Sequence, residues 1–161
     1  FGICYGQLDI DVSSCFAAEA AAVSNWLQAP QLIITSPLLR TRKLAEYLAR
    51  KYHCEMLGHE GLMEMNFGDW EGRAWKDISR GEIEAWSADV LHYIPPNGES
   101  AQQLMLRAQS VLHELAQLPQ QHIALVAHGG SMRAMLAHMA AIQLSRTLSW
   151  QIDYGAVIVI R

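Results

Sequence analysis

The stretch Q-L-I-I-T-S-P-L-L-R, residues 31–40, indicates the fold class. Its first half, residues 31–35, is a continuously apolar run of the kind that forms a strand buried on both faces of a sheet. Ser36 then fits the N-cap of a helix with Pro37 at the first helical position. Apolar residues recur at helical spacing from there to Leu48, so the stretch predicts a strand that leads directly into an amphipathic helix.

The same alternation continues on both sides of this unit. Helices are predicted at 17–27, 37–48, within 73–93, 100–115 and 131–141, and strands at 31–35, 53–57, 122–127 and 156–160. Strands separated by helices of this length pair in parallel through right-handed crossovers. We therefore expect one α/β domain over residues 1–161, a three-layer α/β/α sandwich with a mostly parallel sheet.

Two segments depart from this alternation. Residues 58–72 form a glycine-rich stretch, predicted to be a loop outside the obvious core. Residues 73–98 carry short helices with Trp75 and Trp86 and end in the turn-forming run P-P-N-G, and we interpret them as a lid insertion. Ser100 and Gln103 follow as a capping box that opens the next helix.

Composition restricts the class of partner. The chain of 161 residues has a net charge of -4, so it offers no basic field for nucleic acid or for an anionic membrane surface. Its sequence contains no uninterrupted apolar run of about 18 residues, and neither a membrane span nor a signal peptide is predicted. Three widely spaced cysteines fit reduced thiols, and we expect a cytoplasmic protein without a metal site.

Two predicted strands end in polar residues that precede a helix. Ser36 to Arg40 follow one strand, and His128 to Arg133 follow another. Both segments would lie at the same rim of a parallel sheet, where such sheets bind ligands. The N-terminus of a helix attracts anions, and Arg40 adds a planar guanidinium group that can bind phosphate with two hydrogen bonds. The alternative is that Arg40 is an ordinary solvated arginine of an amphipathic helix.

His128 and Glu64 are the other candidate site residues. His128 stands between an apolar strand and Gly129–Gly130, where its side chain could face a ligand, although a structural imidazole is the alternative. Glu64 lies among apolar neighbours, the environment expected of a general acid. Asp69 and Glu71 compete for that role, and an exposed loop carboxylate is the alternative. These residues by themselves predict a phosphate or carboxylate site.

Four blocks of sequence, read together, resemble the histidine phosphatase family, also called phosphoglycerate mutase-like. They are S-P-L-L-R-T-R-K-L-A (36–45), L-M-E-M-N-F-G-D-W-E-G (62–72), P-P-N-G-E-S (95–100) and V-A-H-G-G-S-M-R-A (126–134). The resemblance implies a phosphohistidine mechanism that needs no metal or cofactor. It further implies that Arg40, His128 and Gly129 bind phosphate, that His128 also takes part in catalysis, and that Glu64 is the proton donor.

The family's Arg-His-Gly motif, which supplies the nucleophilic histidine at the end of a first, central strand, does not occur in this sequence. The opening G-I-C-Y-G-Q-L-D (2–9) is similar to the loop that follows that motif in members of the α-ribazole phosphatase type. We therefore expect the first strand and the motif to lie upstream of Phe1.

The resulting hypothesis is a phosphomonoesterase whose substrate is a phosphorylated small molecule, α-ribazole 5′-phosphate in cobalamin biosynthesis. Its benzimidazole ring could stack on Trp75, Trp86 and Tyr93. The enzymatic alternatives are a broad sugar-phosphate phosphatase and a phosphoglycerate mutase, which must shield its phosphohistidine from water. A non-catalytic phosphate-binding protein, if the motif is truly absent, and a metallohydrolase are the remaining alternatives. The sequence does not indicate an oligomeric state.

Overall fold

A computed structural model of the chain describes residues 2–160. Three parallel strands form its sheet: β1 (Leu32–Thr35) lies in the centre, with β2 (Glu55–Gly58) on one side and β3 (Ile123–Val126) on the other. The α-helices are α1 (Phe16–Ser24), α2 (Leu39–Tyr52), α3 (Arg80–Ala88), α4 (Ala101–Leu115) and α5 (Gly129–Met139). Single 3₁₀ turns span Glu60–Leu62, Gly68–Trp70, Trp75–Asp77 and Leu144–Thr147.

The sheet is covered by helices on both faces. Successive side chains of a strand point to opposite faces, and β1 is buried at all four positions. Leu32 and Ile34 pack with residues of α4 and α5, whereas Ile33 packs with residues of α2. The predicted three-layer α/β/α arrangement with a parallel sheet is thus confirmed. The capping box of α4, with Ser100 and Gln103, is confirmed as well.

The predicted start of α2 is wrong. The helix begins at Leu39, with Leu38 at the N-cap, and Ser36 and Pro37 precede it in the connection from β1. Leu38 has no polar side chain with which to cap the helix; instead Asp9 Oδ1 accepts a hydrogen bond of 2.6 Å from Leu39 N–H. A distant loop therefore caps this helix, and the hydroxyl of Ser36 accepts instead from the N–H of Leu38 at 3.4 Å.

The predicted strand at 156–160 is also wrong. Residues 156–160 pair with no strand of the sheet that the structure describes, and Ile158, Val159 and Ile160 are largely exposed. A strand exists through ladder hydrogen bonds to a neighbour, and an apolar run cannot show whether that neighbour is present. Helix α5 differs in a smaller way, since it begins at Gly129 and not at Ser131.

Part of the 58–72 loop belongs to the core, contrary to the prediction. Leu62 and Trp70 are completely buried and Met65 is nearly so. The 3₁₀ turns at Glu60–Leu62 and Gly68–Trp70 direct these side chains inward, and hydrogen bonds to charged side chains satisfy part of the loop's main chain. Glycine content alone gave no sign of this burial.

The aromatic residues of segment 73–98 pack into a separate small cluster with the start of the chain. Buried Cys4, Trp70 and Ile78 form its centre. Trp75 and Trp86 stack on each other with 5.9 Å between ring centroids, and Tyr93 stacks on Trp70 at 5.8 Å. Segment 73–98 is therefore docked on the chain's first residues, and its role as a lid stays a prediction.

Within residues 2–160, no helix combines the length and the apolar character that crossing a membrane requires.

Candidate active site

Adjacent strands β1 and β3 bring the first two predicted site segments together. Ser36 directly follows β1, and His128 lies two residues beyond β3. The two side chains meet at this rim, where His128 Nε2 and Ser36 Oγ are 2.8 Å apart. Both residues are buried. The expectation that the two strand ends share one rim is confirmed by this contact.

His128 is held as a neutral imidazole. Burial, together with the positive charges of Arg40 and Arg107, lowers its pKa from 6.5 to about 3. At neutral pH the ring therefore carries one N–H donor and one acceptor nitrogen. Such a ring can donate to an anion without adding a positive charge to the site.

Glu64 lies at the amino end of α5. Its Oε2 accepts a 2.9 Å hydrogen bond from Gly130 N–H, and its Oε1 accepts one of 2.9 Å from Met65 N–H. The first amides of a helix have no intrahelical acceptor and carry partial positive charge, so they stabilise an anion there. Gly130 also provides the space, because a Cβ at this position would stand 2.1 Å from Glu64 Oε1.

Arg40, in the first turn of α2, reaches the same site from the opposite side. Its guanidinium donates to the carbonyls of Gly6 at 2.5 Å and Leu8 at 3.0 Å, and it lies over the ring of Tyr5 at 5.5 Å from the centroid. Burial lowers the pKa of Arg40, while the nearby carboxylate of Glu64 raises it. Arg40 is thus a half-buried cation between Glu64 and the start of the chain, not a solvated surface arginine.

The two competing carboxylates have other partners. Asp69 accepts from the side-chain amide of Asn97 at 3.0 and 3.1 Å. Glu71 accepts from the main-chain amides of Gln7 at 2.9 Å and Phe67 at 3.0 Å, and from that of Leu8. Glu71 therefore joins the start of the chain to the 58–72 loop, and Glu64 is the carboxylate that accepts from the first turn of α5.

Gly129 begins α5 and follows His128 directly. Its main-chain N–H belongs to the first turn of the helix, which lacks intrahelical acceptors. A Cβ at Gly129 would lie 3.0 Å from Arg133 Nη1, so the glycine allows Arg133 to fold back against the helix start. The role of Gly129 in binding phosphate stays a prediction.

Sequence reasoning missed Arg107 of α4 and Gln7. Both donate to the carbonyl of Glu64, from Arg107 Nη2 at 2.8 Å and from Gln7 Nε2 at 3.0 Å. Arg107 lies on the same helical face as buried Leu104 and Val111. A charged residue within an apolar stripe was the signal that could have identified it.

No group of three or more histidine, cysteine, aspartate or glutamate side chains within residues 2–160 is placed to hold a metal ion. The residues gathered at the rim are a neutral histidine, a carboxylate, an arginine and a helix start. These groups can bind an anion and transfer a proton.

Comparison with known proteins agrees with this chemistry. The family model of the Histidine phosphatase superfamily (branch 1) matches residues 2–161. The chain belongs to this family. Relatives of this chain in the family include phosphatases named for different substrates.

The adenosylcobalamin/α-ribazole phosphatase of Escherichia coli strain K12 is 28% identical over an alignment of 128 residues, which covers 77% of this chain and 63% of that protein. The glucosyl-3-phosphoglycerate phosphatase of Mycobacterium tuberculosis is 29% identical over an alignment of 154 residues, which covers 87% of this chain and 69% of that protein. The chain thus spans about two thirds of the length of each relative.

Among solved structures, the α-ribazole phosphatase from Shigella flexneri superposes with a TM-score of 0.83 at 24% identity. The superposition covers 96% of this chain and 79% of that chain. At this identity the comparison establishes the fold, which is the phosphoglycerate mutase-like fold that the sequence predicted.

Proposed function

We propose that the protein hydrolyses a phosphomonoester through a phosphohistidine intermediate, with α-ribazole 5′-phosphate as the substrate. The observation that carries the proposal is the position of Glu64. Its carboxylate accepts from Gly130 N–H at the start of α5, the helix that His128 caps. In the proposal, Glu64 in its protonated form supplies a proton beside a group of anion-binding donors, which is the arrangement that phosphomonoester cleavage requires.

The binding step uses charge and directed donors. Arg40 has five N–H donors, and the contacts to Gly6 and Leu8 engage two of its nitrogens, so further donors are left for phosphoryl oxygens. Gly129 contributes a main-chain N–H, and His128 contributes its imidazole N–H, which in the proposal passes from Ser36 Oγ to a phosphoryl oxygen. In the proposed mechanism these groups hold the equatorial oxygens while the phosphoryl group moves in line between its two partners.

The nucleophile in this proposal is a histidine of an Arg-His-Gly segment upstream of Phe1. His128, the N-cap residue of α5, has a binding role in this proposal and is not the nucleophile. The incoming imidazole nitrogen forms a bond to phosphorus as the bond from phosphorus to the ester oxygen breaks. Determining the coding sequence ahead of Phe1 tests this assignment, and an in-frame start without such a motif would contradict it.

Glu64 acts twice in the proposed cycle. An alkoxide is a poor leaving group at neutral pH, so Glu64 donates a proton to the ester oxygen as the bond to phosphorus breaks. The resulting carboxylate then accepts a proton from water, whose oxygen attacks phosphorus and releases the histidine. Inorganic phosphate and the alcohol are the products.

Substitution of Glu64 tests the proposal. Glu64→Gln keeps the shape and one of the two acceptor oxygens but cannot supply a proton, so we expect kcat to fall about 10²- to 10⁴-fold with a small change in KM. Glu46→Gln, in an exposed part of α2, is the matched control and should retain wild-type turnover. Equal activity of Glu64→Gln and wild type would exclude Glu64 and direct attention to Asp69 and Glu71.

Two observations bear on the substrate. The Escherichia coli relative and the C-Y-G-Q opening support α-ribazole 5′-phosphate. The Mycobacterium tuberculosis relative supports the alternative, a phosphatase of sugar phosphates. The proposed stacking on benzimidazole is weakened, because Trp75, Trp86 and Tyr93 already pack on other aromatic rings. The ratio of kcat/KM for α-ribazole 5′-phosphate and glucosyl-3-phosphoglycerate distinguishes the two, and 3-phosphoglycerate tests for a mutase.

A further inference from the structure

We propose that Arg107 of α4 is a positioning residue for Glu64, and that it acts by fixing the backbone of residues 61–66, here called the Glu64 loop. This inference rests on the proposed role of Glu64 as proton donor. The groups involved are one arginine, one carboxylate and four main-chain groups of the loop.

The guanidinium of Arg107 contacts three carbonyls of the Glu64 loop. Nη1 donates to the carbonyl oxygens of Gly61 at 2.9 Å and Met63 at 2.7 Å, and Nη2 donates to that of Glu64 at 2.8 Å. Hydrogen bonds from a charged donor are about twice as strong as neutral ones. Since the contacts fall on both sides of Leu62, they fix the course of the loop up to Glu64 itself.

Glu99 completes the arrangement at the other end of the loop. Arg107 Nε donates to Glu99 Oε2 at 3.1 Å, and Arg107 Nη2 donates to Glu99 Oε1 at 2.6 Å. Glu99 Oε1 also accepts from Asn66 N–H at 2.8 Å. The side chains of Arg107 and Glu99 are 23% and 15% exposed, so water screens this pair far less than a surface ion pair.

Arg107 and Glu99 are both held by the rigid helix α4. Glu99 directly precedes Ser100, the N-cap of α4, whose capping box fixes the start of the helix. Arg107 follows two turns later, on the face that carries buried Leu104 and Val111. The Glu64 loop, in contrast, contains a single 3₁₀ turn. Its geometry is therefore imposed from α4.

The side chain of Glu64 depends on that geometry. One carboxylate oxygen accepts from Met65 within the loop, and the other accepts from Gly130 in α5. A displacement of the loop by about 1 Å would separate the carboxylate from α5, and a misplacement of this size can cost about 10²-fold in rate. Lysine cannot replace the arginine, because one ammonium group cannot reach three carbonyls and both carboxylate oxygens.

Turnover of the full-length protein tests the inference. For Arg107→Lys and Arg107→Met we expect kcat to fall about 10- to 100-fold and KM to change less than about threefold, since the substrate-binding groups stay in place. Arg80→Met in α3, where the arginine side chain is 91% exposed, is the matched control and should behave as wild type. Wild-type kcat in both Arg107 variants would overturn the proposal.

A double-mutant cycle separates positioning of Glu64 from a general loss of structure. In the Glu64→Gln background the proton donor is already gone, so Arg107→Lys should lower kcat by less than about threefold. If Arg107→Lys lowers kcat by the same factor in both backgrounds, Arg107 does not act through Glu64.

Amide hydrogen exchange followed by NMR gives a readout that needs no turnover. We expect the N–H groups of Met65 and Gly130 to exchange at least about 10-fold faster in Arg107→Lys, with Val111 in α4 unchanged as a sign of intact folding. Unchanged exchange at Met65 and Gly130 would overturn the positioning role. If the wild type releases no phosphate from any substrate, the proposed function fails, and the exchange experiment still decides whether Arg107 fixes the Glu64 loop.

Discussion

Gly130 is the residue against which the carboxylate of Glu64 packs. Any side chain there would meet Glu64 Oε1, which stands 2.1 Å from the position of a Cβ. Gly130→Ala should therefore displace the carboxylate and lower kcat at least about 10-fold, since the loss of precise placement is costly. Steady-state kinetics with a phosphomonoester substrate would measure this change.

Gly81 in α3 provides the matched control, because a Cβ there meets no atom within 4 Å. Gly81→Ala should leave kcat unchanged and raise the free energy of unfolding by about 0.5 to 1 kcal/mol, the helix preference of alanine over glycine. A loss of activity in Gly81→Ala equal to that in Gly130→Ala would show that the effect is not local to Glu64.

His128 makes the stability of the fold depend on pH. Its folded-state pKa of about 3 is below the 6.5 expected in the unfolded chain, so the unfolded state binds the proton more readily. This contribution is fully present above about pH 6.5 and is lost as the pH falls from 6.5 towards 3. At pH 5 the loss is about 2 kcal/mol, from 1.36 kcal/mol per unit of pKa.

Urea unfolding at pH 7.5 and pH 5.0 in phosphate-free buffer measures this loss. The difference between the two pH values should be smaller in His128→Gln by about that amount, whereas exposed His138→Gln should retain it. An equal pH dependence in wild type and His128→Gln would contradict the lowered pKa.

At the scale of elements, α2 depends on a cap from outside the helix. Asp9 accepts from Leu39 N–H, and the helix has no side-chain cap of its own at Leu38. Asp9→Ala should lower the free energy of unfolding by about 1 kcal/mol, the usual value for a lost cap. Thermal or urea unfolding measures this, with Asp153→Ala as a control at an aspartate that bonds only to nearby Gln151 among the described residues.

Asp9→Ala should also affect the site, because the residues before Asp9 supply the carbonyls that hold Arg40. We expect weaker binding of inorganic phosphate by isothermal titration calorimetry. Unchanged affinity and unchanged stability together would show that Asp9 does not cap α2 in solution.

At the scale of the whole molecule, the structure contains a second apolar centre apart from the sheet. Trp70 is completely buried there and connects the start of the chain to segment 73–98 through Cys4 and Ile78. Trp70→Ala should lower the free energy of unfolding by about 3 to 5 kcal/mol, the cost of removing a large buried side chain.

Trp26→Ala removes the same number of atoms from a side chain that is 77% exposed, so it should change stability by less than about 0.5 kcal/mol. Urea unfolding of both variants makes the comparison. Equal stability changes in the two variants would show that the aromatic cluster does not support the fold.

The sequence by itself determined the α/β class, the buried strand β1, helix α4 with its capping box, and the candidates Arg40, Glu64 and His128. These depend on local signals: apolar runs, cap residues, and polar residues at the ends of strands. Strand ends of a parallel sheet share one rim, so even the meeting of β1 and β3 residues followed from the pattern.

The tertiary structure alone decided the remaining features. Asp9 caps α2, and Arg107 holds the loop of Glu64. Residues 156–160 pair with no described strand. Each of these features depends on whether a partner remote in sequence is present. A hydrogen bond between residues about 30 or 40 positions apart produces no periodic pattern in the sequence. The side chain that makes it looks like that of any other charged residue, and its partner is a main-chain group. The proposal of Glu64 over Asp69 and Glu71 rests on the same kind of contact, since Glu64 is the carboxylate that accepts from the first turn of α5.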